Sequence, residues 1–297
     1  MNDKPVIGFL GLGHMGLPMA INLHKAGYVL KAYDVVPEAV QRAASEGIET
    51  VTTGAAAATD VDIVLTMFPT GQHVLDAYRE SLLPAARPDT LFLECSTIDV
   101  AQAREAAALA VEAGHRSADA PVSGGVVGAE AGTLTFMLGA DEADLAQITE
   151  VLEVMGKRIV HCGGHGAGQA AKVCNNMLLG ISMLGAAEAF VLGERLGLSH
   201  QALFDVISSA SGQCWSVTTN CPVPGPVPTS PANRDYQPGF AAALMAKDLG
   251  LATSALGHTD TDAHLGTLAA QLFSKFAQDH AGTDFSGIIN AVRDGSL

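Results

Sequence analysis

Basic residues are scarce in this sequence. Only 16 Lys and Arg stand against 31 Asp and Glu, which gives a formal net charge of −15 at pH 7. A surface this acidic repels the phosphates of nucleic acids and anionic lipid headgroups. We therefore expect no nucleic-acid and no membrane partner, and any phosphorylated ligand must be held by backbone N–H groups and a few local cations.

Cysteines are also few, five in 297 residues, and they form no CxxC pair. No Cys/His spacing is typical of zinc, and an odd number without a framework indicates reduced thiols in a reducing compartment. The ten histidines, including His161 and His165, are scattered along the chain. We expect no metal site.

Long apolar runs and targeting patterns are lacking as well. The most apolar stretch, residues 177–192, contains Glu188 and is too short for a membrane span, so it predicts a buried helix. Residues 1–10 show no charged n-region, long apolar h-region or Arg-rich presequence. We therefore expect a cytoplasmic protein.

Short apolar runs alternate with helical patterns in the first half of the chain. The predicted strands are residues 6–10, 29–33, 63–67, 91–94, 133–138 and 159–161. The predicted helices are residues 15–25, 37–45, 100–113 and 141–155. This alternation predicts an α/β domain of the Rossmann type, a doubly wound and mostly parallel sheet with helices on both faces.

The pattern changes after Cys162, where a glycine-rich segment, residues 163–168, predicts a hinge. Strand signals then largely vanish, and residues 169–196 predict one long helix that joins two domains. A further helix is expected after Ser199 as N-cap, then a proline-rich loop over 221–239 and helices from about 241 and over 263–279. We place the first domain at residues 1–163 and an all-helical second domain at 164–297.

One glycine-rich turn lies between the first predicted strand and helix, and it fits the dinucleotide-binding pattern GxGxxG. In that pattern the first glycine permits a tight turn, the second lets a pyrophosphate approach the backbone, and the third allows close packing of helix on strand. The helix N-terminus supplies N–H groups for the phosphates. The alternative is a turn without a ligand. The residues are Gly11, Leu12, Gly13, His14, Met15 and Gly16.

Asp34 ends the second predicted strand, about 20 residues beyond the turn, where a carboxylate accepts hydrogen bonds from the adenosine ribose. The same carboxylate repels a 2′-phosphate, and no arginine stands at residues 35–37 to bind one. We therefore expect NAD rather than NADP. A solvated aspartate at a strand end is the alternative.

Two later segments carry polar groups suited to chemistry. The turn Ser123-Gly124-Gly125 can present a hydroxyl and backbone amides to a carboxylate, although it could equally be a structural loop. Lys172 and Asn176 lie four residues apart and share one face of an apolar helix. Burial of an unpaired ammonium is unfavourable, so this lysine needs a function or, alternatively, reaches solvent through its long side chain.

Together these segments resemble the β-hydroxyacid dehydrogenase family. Matching segments occur in order along almost the whole chain, at residues 8–13, 96–98, 119–125, 168–176 and 247–252. Segments at 211–216, 222–225, 232–236 and 239–240 are similar to the branch that oxidises 3-hydroxyisobutyrate. Asn220-Cys221, where Tyr-Asn is expected, and His14, often Asn, depart from the pattern.

The resemblance implies NAD-dependent oxidation of 3-hydroxyisobutyrate to methylmalonate semialdehyde, a reaction of valine catabolism. Lys172 would be the general acid/base, which near neutral pH requires that burial disfavour its charged form. Asn176 would orient the substrate or the lysine. Ser123, Gly124 and Gly125 would bind the substrate carboxylate, and Lys247 would lie near both nicotinamide and substrate. Phe68, Pro69, His73 and Thr97 would line the cofactor cleft, and Trp215 and Phe240 are candidates for pocket walls or core.

Several alternatives remain open. A relative acting on L-serine or on tartronate semialdehyde and glycerate would share every motif. A non-catalytic NAD-binding sensor would need neither Lys172 nor Asn176, and a methyltransferase would not explain residues 119–125. The long apolar helix suggests surface that one subunit cannot cover, so we expect a homo-oligomer, a dimer or tetramer.

Overall fold

A computed structural model describes residues 4–297 of the chain. The chain divides into two compact units, the first ending at Lys172 and the second beginning at Val173. The division falls inside the long helix Ala167–Arg195, whereas the sequence places the domain boundary near residue 163, just before that helix.

An eight-stranded sheet forms the centre of the first unit. Its strands are β1 Ile7–Leu10, β2 Leu30–Tyr33, β3 Ile63–Thr66, β4 Leu91–Glu94, β5 Arg116–Asp119, β6 Val122–Ser123, β7 Leu134–Ala140 and β8 Gly156–Gly163. The order is β2-β1-β3-β4-β5-β7-β6, with β8 on β7. Strands β1 to β5 are parallel, while β7 runs antiparallel to β5 and β6 and parallel to β8.

The six predicted strands are all present, because their apolar runs can be buried on both sides of a sheet. Every residue of β1, β3 and β4 is buried. Alternate residues enter two separate apolar clusters: Phe9 and Leu65 pack on one side, and Leu10 and Val64 on the other. The doubly wound fold, with helices on both faces, is confirmed.

Within residues 4–166, eight helices surround this sheet or connect its strands. They are α1 Gly16–Lys25, α2 Pro37–Ser45, α3 Gly54–Ala58, α4 Gly71–Ala77, α5 Leu83–Ala85, α6 Val100–Glu112, α7 Gly125–Ala131 and α8 Leu145–Leu152. A π-helical turn, Tyr78–Leu82, joins α4 to α5. The helix predicted over 141–155 is shorter in the structure, because a 3₁₀ turn at Glu142–Asp144 precedes α8.

The order of the strands creates a topological switch point at β1. Its two neighbours, β2 and β3, lie on opposite sides of it, so the chain leaves the carboxyl ends of these strands in opposite directions. In open α/β sheets, ligands bind in the crevice at such a point. The fold therefore places a binding cleft at the carboxyl edge of the sheet.

Helices form the framework of the second unit, which confirms the all-α prediction. Its helices are α9 Ala167–Arg195, whose first residues belong to the first unit, α10 His200–Ser209, α11 Trp215–Thr218, α12 Ala242–Thr259, α13 His264–His280 and α14 Ile288–Asp294. Ser199 is the N-cap of α10, as predicted, and its hydroxyl accepts the Ala202 N–H at 3.2 Å. The loop over 221–239 contains only a 3₁₀ turn, Pro231–Arg234.

Helix α9, Ala167–Arg195, confirms the long helix predicted over 169–196, with its ends shifted by two residues and one residue. With 29 residues and a mean hydropathy of 1.5 in its most apolar window, it has the length and composition to cross a membrane. Half of that window is buried inside the protein, and residues such as Met183 and Phe190 belong to the core of the second unit. This is the burial expected of a core helix.

A partly exposed ion-pair network holds the end of α9 to α14. Arg293 donates from Nε and Nη2 to both carboxylate oxygens of Glu194, at 3.0 and 2.8 Å, and His200 Nε2 lies 2.7 Å from the same carboxylate. The hydrogen bonds from Arg293, opposed by partial desolvation and helped by His200, lower the pKa of Glu194 to about 2. The carboxylate therefore stabilises the second unit only in its charged form.

We predict that Glu194→Gln lowers the free energy of unfolding by about 1–2 kcal/mol near neutral pH. A carboxyl whose pKa is depressed in the folded state contributes stability above its unfolded value of 4.5, and loses it as pH falls towards about 2. Urea unfolding of variant and parent across this range should show the difference shrinking with falling pH. Glu188→Gln, at an exposed position on α9, is the control. A difference independent of pH would contradict this account.

Candidate active site

The glycine-rich turn after β1 has the geometry that a dinucleotide requires. Gly11 has φ +94°, and a Cβ there would overlap the Met67 carbonyl oxygen, while a Cβ at Gly16 would overlap the Gly11 carbonyl oxygen. A Cβ at Gly13 would meet no atom within 4 Å. The first and third glycines are thus required by packing, whereas Gly13 faces open space where a pyrophosphate can approach.

The N-terminus of α1 follows this turn directly. Helix α1 begins at Gly16 and has no acidic residue in its first turn, so its partial positive charge is available to a phosphate. His14 and Gly13 are exposed, and Met15 and Leu12 lie half-buried and buried beside them. On a chain with a net charge of −15, this is a local site for an anion.

Asp34 follows β2 and is tied to the turn. Its Oδ2 accepts the Leu12 N–H at 2.6 Å and its Oδ1 accepts the Val36 N–H at 2.8 Å. These bonds hold the carboxylate next to the glycine-rich turn, where an adenosine ribose would lie. The turn, the helix N-terminus and Asp34 together fit a dinucleotide.

The segments after β3 and β4 form the other side of the cleft. Phe68 lies against the turn, since a Cβ at Gly11 would be 3.2 Å from its ring, and Pro69 follows it. The Phe68 N–H donates to Ser96 Oγ at 2.7 Å, which links this segment to the one that carries Thr97. His73 lies on α4, with its Nδ1 2.7 Å from Thr70 Oγ1.

Ser123, Gly124 and Gly125 connect β6 to α7. Ser123 is half-buried and pairs with Thr135 of β7. Gly124 and Gly125 have φ of +136° and +61°, so the backbone turns sharply in a conformation that favours glycine. This bend presents consecutive backbone N–H groups after Ser123, an arrangement suited to a carboxylate.

Lys172 lies in the second turn of α9 and is 6% exposed. The start of this helix is anchored by Asp119, at the carboxyl end of β5: Oδ1 accepts the Gly166 N–H at 2.6 Å and Oδ2 the Gln169 N–H at 2.8 Å. Burial raises the pKa of Asp119, and these backbone hydrogen bonds oppose the rise. Asp119 therefore holds the helix that carries Lys172 at the same edge of the sheet as the glycine-rich turn.

In the second unit, Asn176 is 2% exposed and its Nδ2 donates to Asp248 Oδ2 at 2.5 Å. Asn175 Nδ2 donates to Asn176 Oδ1 at 2.9 Å. Asp248 lies on α12 directly after Lys247, which is half-buried. The asparagine amide is thus oriented by a carboxylate that neighbours the second predicted lysine.

Sequence reasoning did not assign roles to Asp119, Gln169 or Asp248. The signal for Asp119 was its position at the head of the segment 119–125, and the signal for Asp248 was its place beside Lys247.

Of the aromatic candidates, Trp215 is 51% exposed, whereas Phe240 packs edge-on against Phe285 in the core of the second unit, with ring centroids 5.7 Å apart. Within residues 4–297 no cluster of three or more His, Cys, Asp or Glu side chains could hold a metal ion.

Two family models match the chain. Residues 6–164 match the NAD-binding domain of 6-phosphogluconate dehydrogenase, and residues 166–292 match the NAD-binding segment of NADP-dependent 3-hydroxyisobutyrate dehydrogenase. A probable 3-hydroxyisobutyrate dehydrogenase of Mycobacterium tuberculosis is 55% identical, over 97% of both chains. An NAD-dependent L-serine dehydrogenase of Pseudomonas aeruginosa is 46% identical, over 94% of this chain and 95% of the relative.

A solved structure agrees with these sequence matches. The Mycobacterium tuberculosis 3-hydroxyisobutyrate dehydrogenase in a structure with L-serine has a TM-score of 0.96 and 54% identity, covering 98% of this chain and 99% of that one. At this similarity the two chains share the fold over their whole length.

The two glycines of the turn should separate binding from folding. We predict that Gly13→Ala leaves thermal stability unchanged but weakens NADH binding by about 10–100-fold, because the methyl group occupies the space of the pyrophosphate at an overpacking cost of about 1–3 kcal/mol. Gly16→Ala should instead lower stability, since its Cβ overlaps the Gly11 carbonyl oxygen. Calorimetric titration with NADH and thermal unfolding measure the two effects. Equal NADH affinity for Gly13→Ala and the parent would refute the proposed position of the pyrophosphate.

Proposed function

Since the chain belongs to the 3-hydroxyisobutyrate dehydrogenase family of β-hydroxyacid dehydrogenases, we propose that it oxidises 3-hydroxyisobutyrate to methylmalonate semialdehyde with NAD as hydride acceptor. The observation that carries this proposal is the burial of Lys172, 6% exposed, on a helix anchored at the carboxyl edge of the sheet. The enzymes of this family are NAD(P)-dependent, and the alcohol carbon of the substrate becomes an aldehyde.

Bound NAD supplies the hydride acceptor. Lys172 would accept the hydroxyl proton while the carbon that bears the hydroxyl gives a hydride to NAD. The alcohol thus loses two electrons and two hydrogens, one as a proton and one as a hydride. A lysine accepts a proton only as the neutral amine, so this is the form that the proposed step requires of Lys172. In the reverse direction the protonated lysine would return the proton to the aldehyde oxygen.

The remaining predicted residues supply binding and orientation. Ser123, Gly124 and Gly125 would bind the substrate carboxylate, which would favour hydroxy acids over simple alcohols. Asn176, oriented by Asp248, would direct its remaining amide hydrogen to the substrate or to Lys172. Lys247 would add a cation near the anionic substrate.

The cofactor residues would divide between the two ends of the dinucleotide. Gly11, Leu12, Gly13, His14, Met15 and Gly16 would hold the pyrophosphate, Asp34 the adenosine ribose, and Phe68, Pro69, His73 and Thr97 the side of the cleft towards nicotinamide. Asp34 would favour NAD over NADP, because its carboxylate is held beside the glycine-rich turn by Leu12 N–H and would repel a 2′-phosphate there.

L-Serine is the second candidate substrate. A relative at 46% identity is named an L-serine dehydrogenase, and the similar Mycobacterium tuberculosis structure was determined with L-serine. Serine also carries a primary hydroxyl and a carboxylate, so the same proton and hydride transfers apply. The two substrates differ in one substituent on the carbon that bears the carboxylate, which is an apolar methyl group in 3-hydroxyisobutyrate and a charged ammonium group in serine.

Turnover of a substrate panel tests the proposal. We expect saturable NADH formation that favours 3-hydroxyisobutyrate over L-serine and glycerate, and a preference for NAD over NADP.

In the same assay Lys172→Ala should lose about 10²–10⁴-fold in kcat, the usual contribution of a general acid/base, with little change in NADH affinity. Lys157→Ala, an exposed lysine on β8, is the control. A preference for serine would make serine the substrate in place of 3-hydroxyisobutyrate. Near-normal turnover by Lys172→Ala would refute the proposed mechanism.

We further propose that the enzyme acts as a soluble homo-oligomer in the cytoplasm. All five cysteines are free thiols, which is typical of a reducing compartment. Leu178 and Leu192 on α9, and Leu196 just beyond its end, are 63%, 59% and 71% exposed, and a second subunit would cover these apolar side chains. Light scattering after size exclusion should give a dimer or tetramer; a monomer at micromolar concentration would contradict this proposal.

A further inference from the structure

The side chain of Gln169 is completely buried in the first turn of α9, at 0% exposed. Its Nε2 donates to the Ser96 carbonyl oxygen at 2.6 Å, and its Oε1 accepts the Ile98 N–H at 3.2 Å. These two backbone groups flank Thr97. One amide thus spans both sides of the residue that the proposed function places against the cofactor.

A second set of bonds ties Gln169 to the ends of two strands. Its backbone N–H donates to Asp119 Oδ2 at 2.8 Å, and its Nε2 lies 3.3 Å from Glu94 Oε2. Glu94 Oε1 in turn accepts the Ser96 N–H at 2.7 Å. The carboxyl ends of β4 and β5, the segment with Thr97 and the start of α9 therefore form one hydrogen-bonded network centred on Gln169.

Lys172 lies three residues beyond Gln169 on the same helix face. At 1.5 Å of rise per residue, the two positions are separated by about 4.5 Å along the axis. A change in the distance between Gln169 and the segment at Thr97 is therefore transmitted to Lys172 through less than one turn of helix. An apolar side chain of equal length could fill the same volume, but it would leave Ser96 O and Ile98 N–H without this partner.

We propose that Gln169 is a positioning residue that sets the separation between Lys172 and the cofactor wall at Thr97. This inference rests on the proposed function, because it concerns the placement of the group that accepts the substrate proton. Hydride and proton transfer require reacting atoms in near-attack geometry, and a displacement of about 1 Å can lower a rate about 10²-fold. Gln169 touches neither reacting atom and acts through Lys172 and Thr97.

The test compares Gln169→Met with the parent, using Gln201→Met as the matched control. Gln201 is exposed on α10 and donates only within its own helix, to Asp205 at 2.8 Å. We expect kcat of Gln169→Met to fall about 10–100-fold, with KM for the hydroxy acid and for NAD within about threefold of the parent. The isotope effect on kcat with substrate deuterated at the hydroxyl-bearing carbon should rise, because hydride transfer becomes rate-limiting.

A second variant, Gln169→Glu, keeps the shape and adds a pH readout. Its ionised carboxylate cannot donate to Ser96 O and would face Glu94, whereas its protonated form can both donate to Ser96 O and accept from Ile98 N–H. In the reductive direction, the rate of Gln169→Glu relative to the parent should therefore recover as pH falls. Taking the ratio at each pH cancels the titration of groups common to both proteins.

The outcomes separate the two proposals. If Gln169→Met loses thermal stability but keeps the kcat and isotope effect of the parent, Gln169 is structural and the inference is wrong. A raised KM for NAD at unchanged kcat would likewise overturn it, as would a Gln169→Glu ratio that does not vary with pH. A parent that turns over no hydroxy acid defeats the proposed function, and the positioning role with it, whereas an active parent with unaffected variants defeats the positioning role alone.

Discussion

The contact between Asp119 and the start of α9 is the interaction on which the candidate site depends. The first N–H groups of a helix lack partners within it, and this carboxylate satisfies those of Gly166 and Gln169 from the end of β5. The negative charge also lies at the positive end of a 29-residue helix, which is favourable. This bond, together with the side-chain hydrogen bonds of Gln169 to Ser96 and Ile98, fixes where Lys172 stands relative to the sheet.

Close packing around Asp119 makes the contact possible. A Cβ at Gly168 would overlap the Met137 carbonyl oxygen, and a Cβ at Gly139 would overlap Asp119 Oδ1. Two glycines on different elements therefore let the helix backbone approach the strand ends within hydrogen-bond distance. The cost is a buried carboxylate, which is reflected in the raised pKa of Asp119 and is offset first by backbone donors and then by His165.

At the proposed cofactor site, too, backbone groups rather than cationic side chains would interact with a negative charge. The protein carries a net charge of −15, yet the features that fit a dinucleotide are backbone groups: a turn with open space at Gly13 and a helix start without acidic residues. Backbone dipoles attract a phosphate where they are aimed without making the rest of the surface attractive to anions. Under the proposed function, Asp34 would add selectivity at the adenosine end, where its negative charge would repel a 2′-phosphate.

Local sequence patterns predicted much of the fold and part of the candidate site. The apolar runs of β1, β3 and β4 and the spacing of Gly11, Gly13 and Gly16 are properties of neighbouring residues, so they are readable in the chain itself. Strand β5 was not predicted, because three of its residues, Arg116, Ser117 and Asp119, are polar. It forms a strand because β4 and β7 pair with it on either side.

The roles of Asp119, Gln169 and Asp248 were decided only by the tertiary structure. Asp119 meets the helix N–H groups 47 and 50 residues away, Gln169 reaches Ser96 across 73 residues, and Asn176 meets Asp248 across 72. No local periodicity encodes such pairs, since each is brought together by strand order or helix packing. The sequence by itself determined which backbone turn can hold a phosphate and which lysine stands in an apolar helix; the folded chain determined which buried groups hold that helix in place, because hydrogen bonds form between atoms that are near in space rather than in sequence.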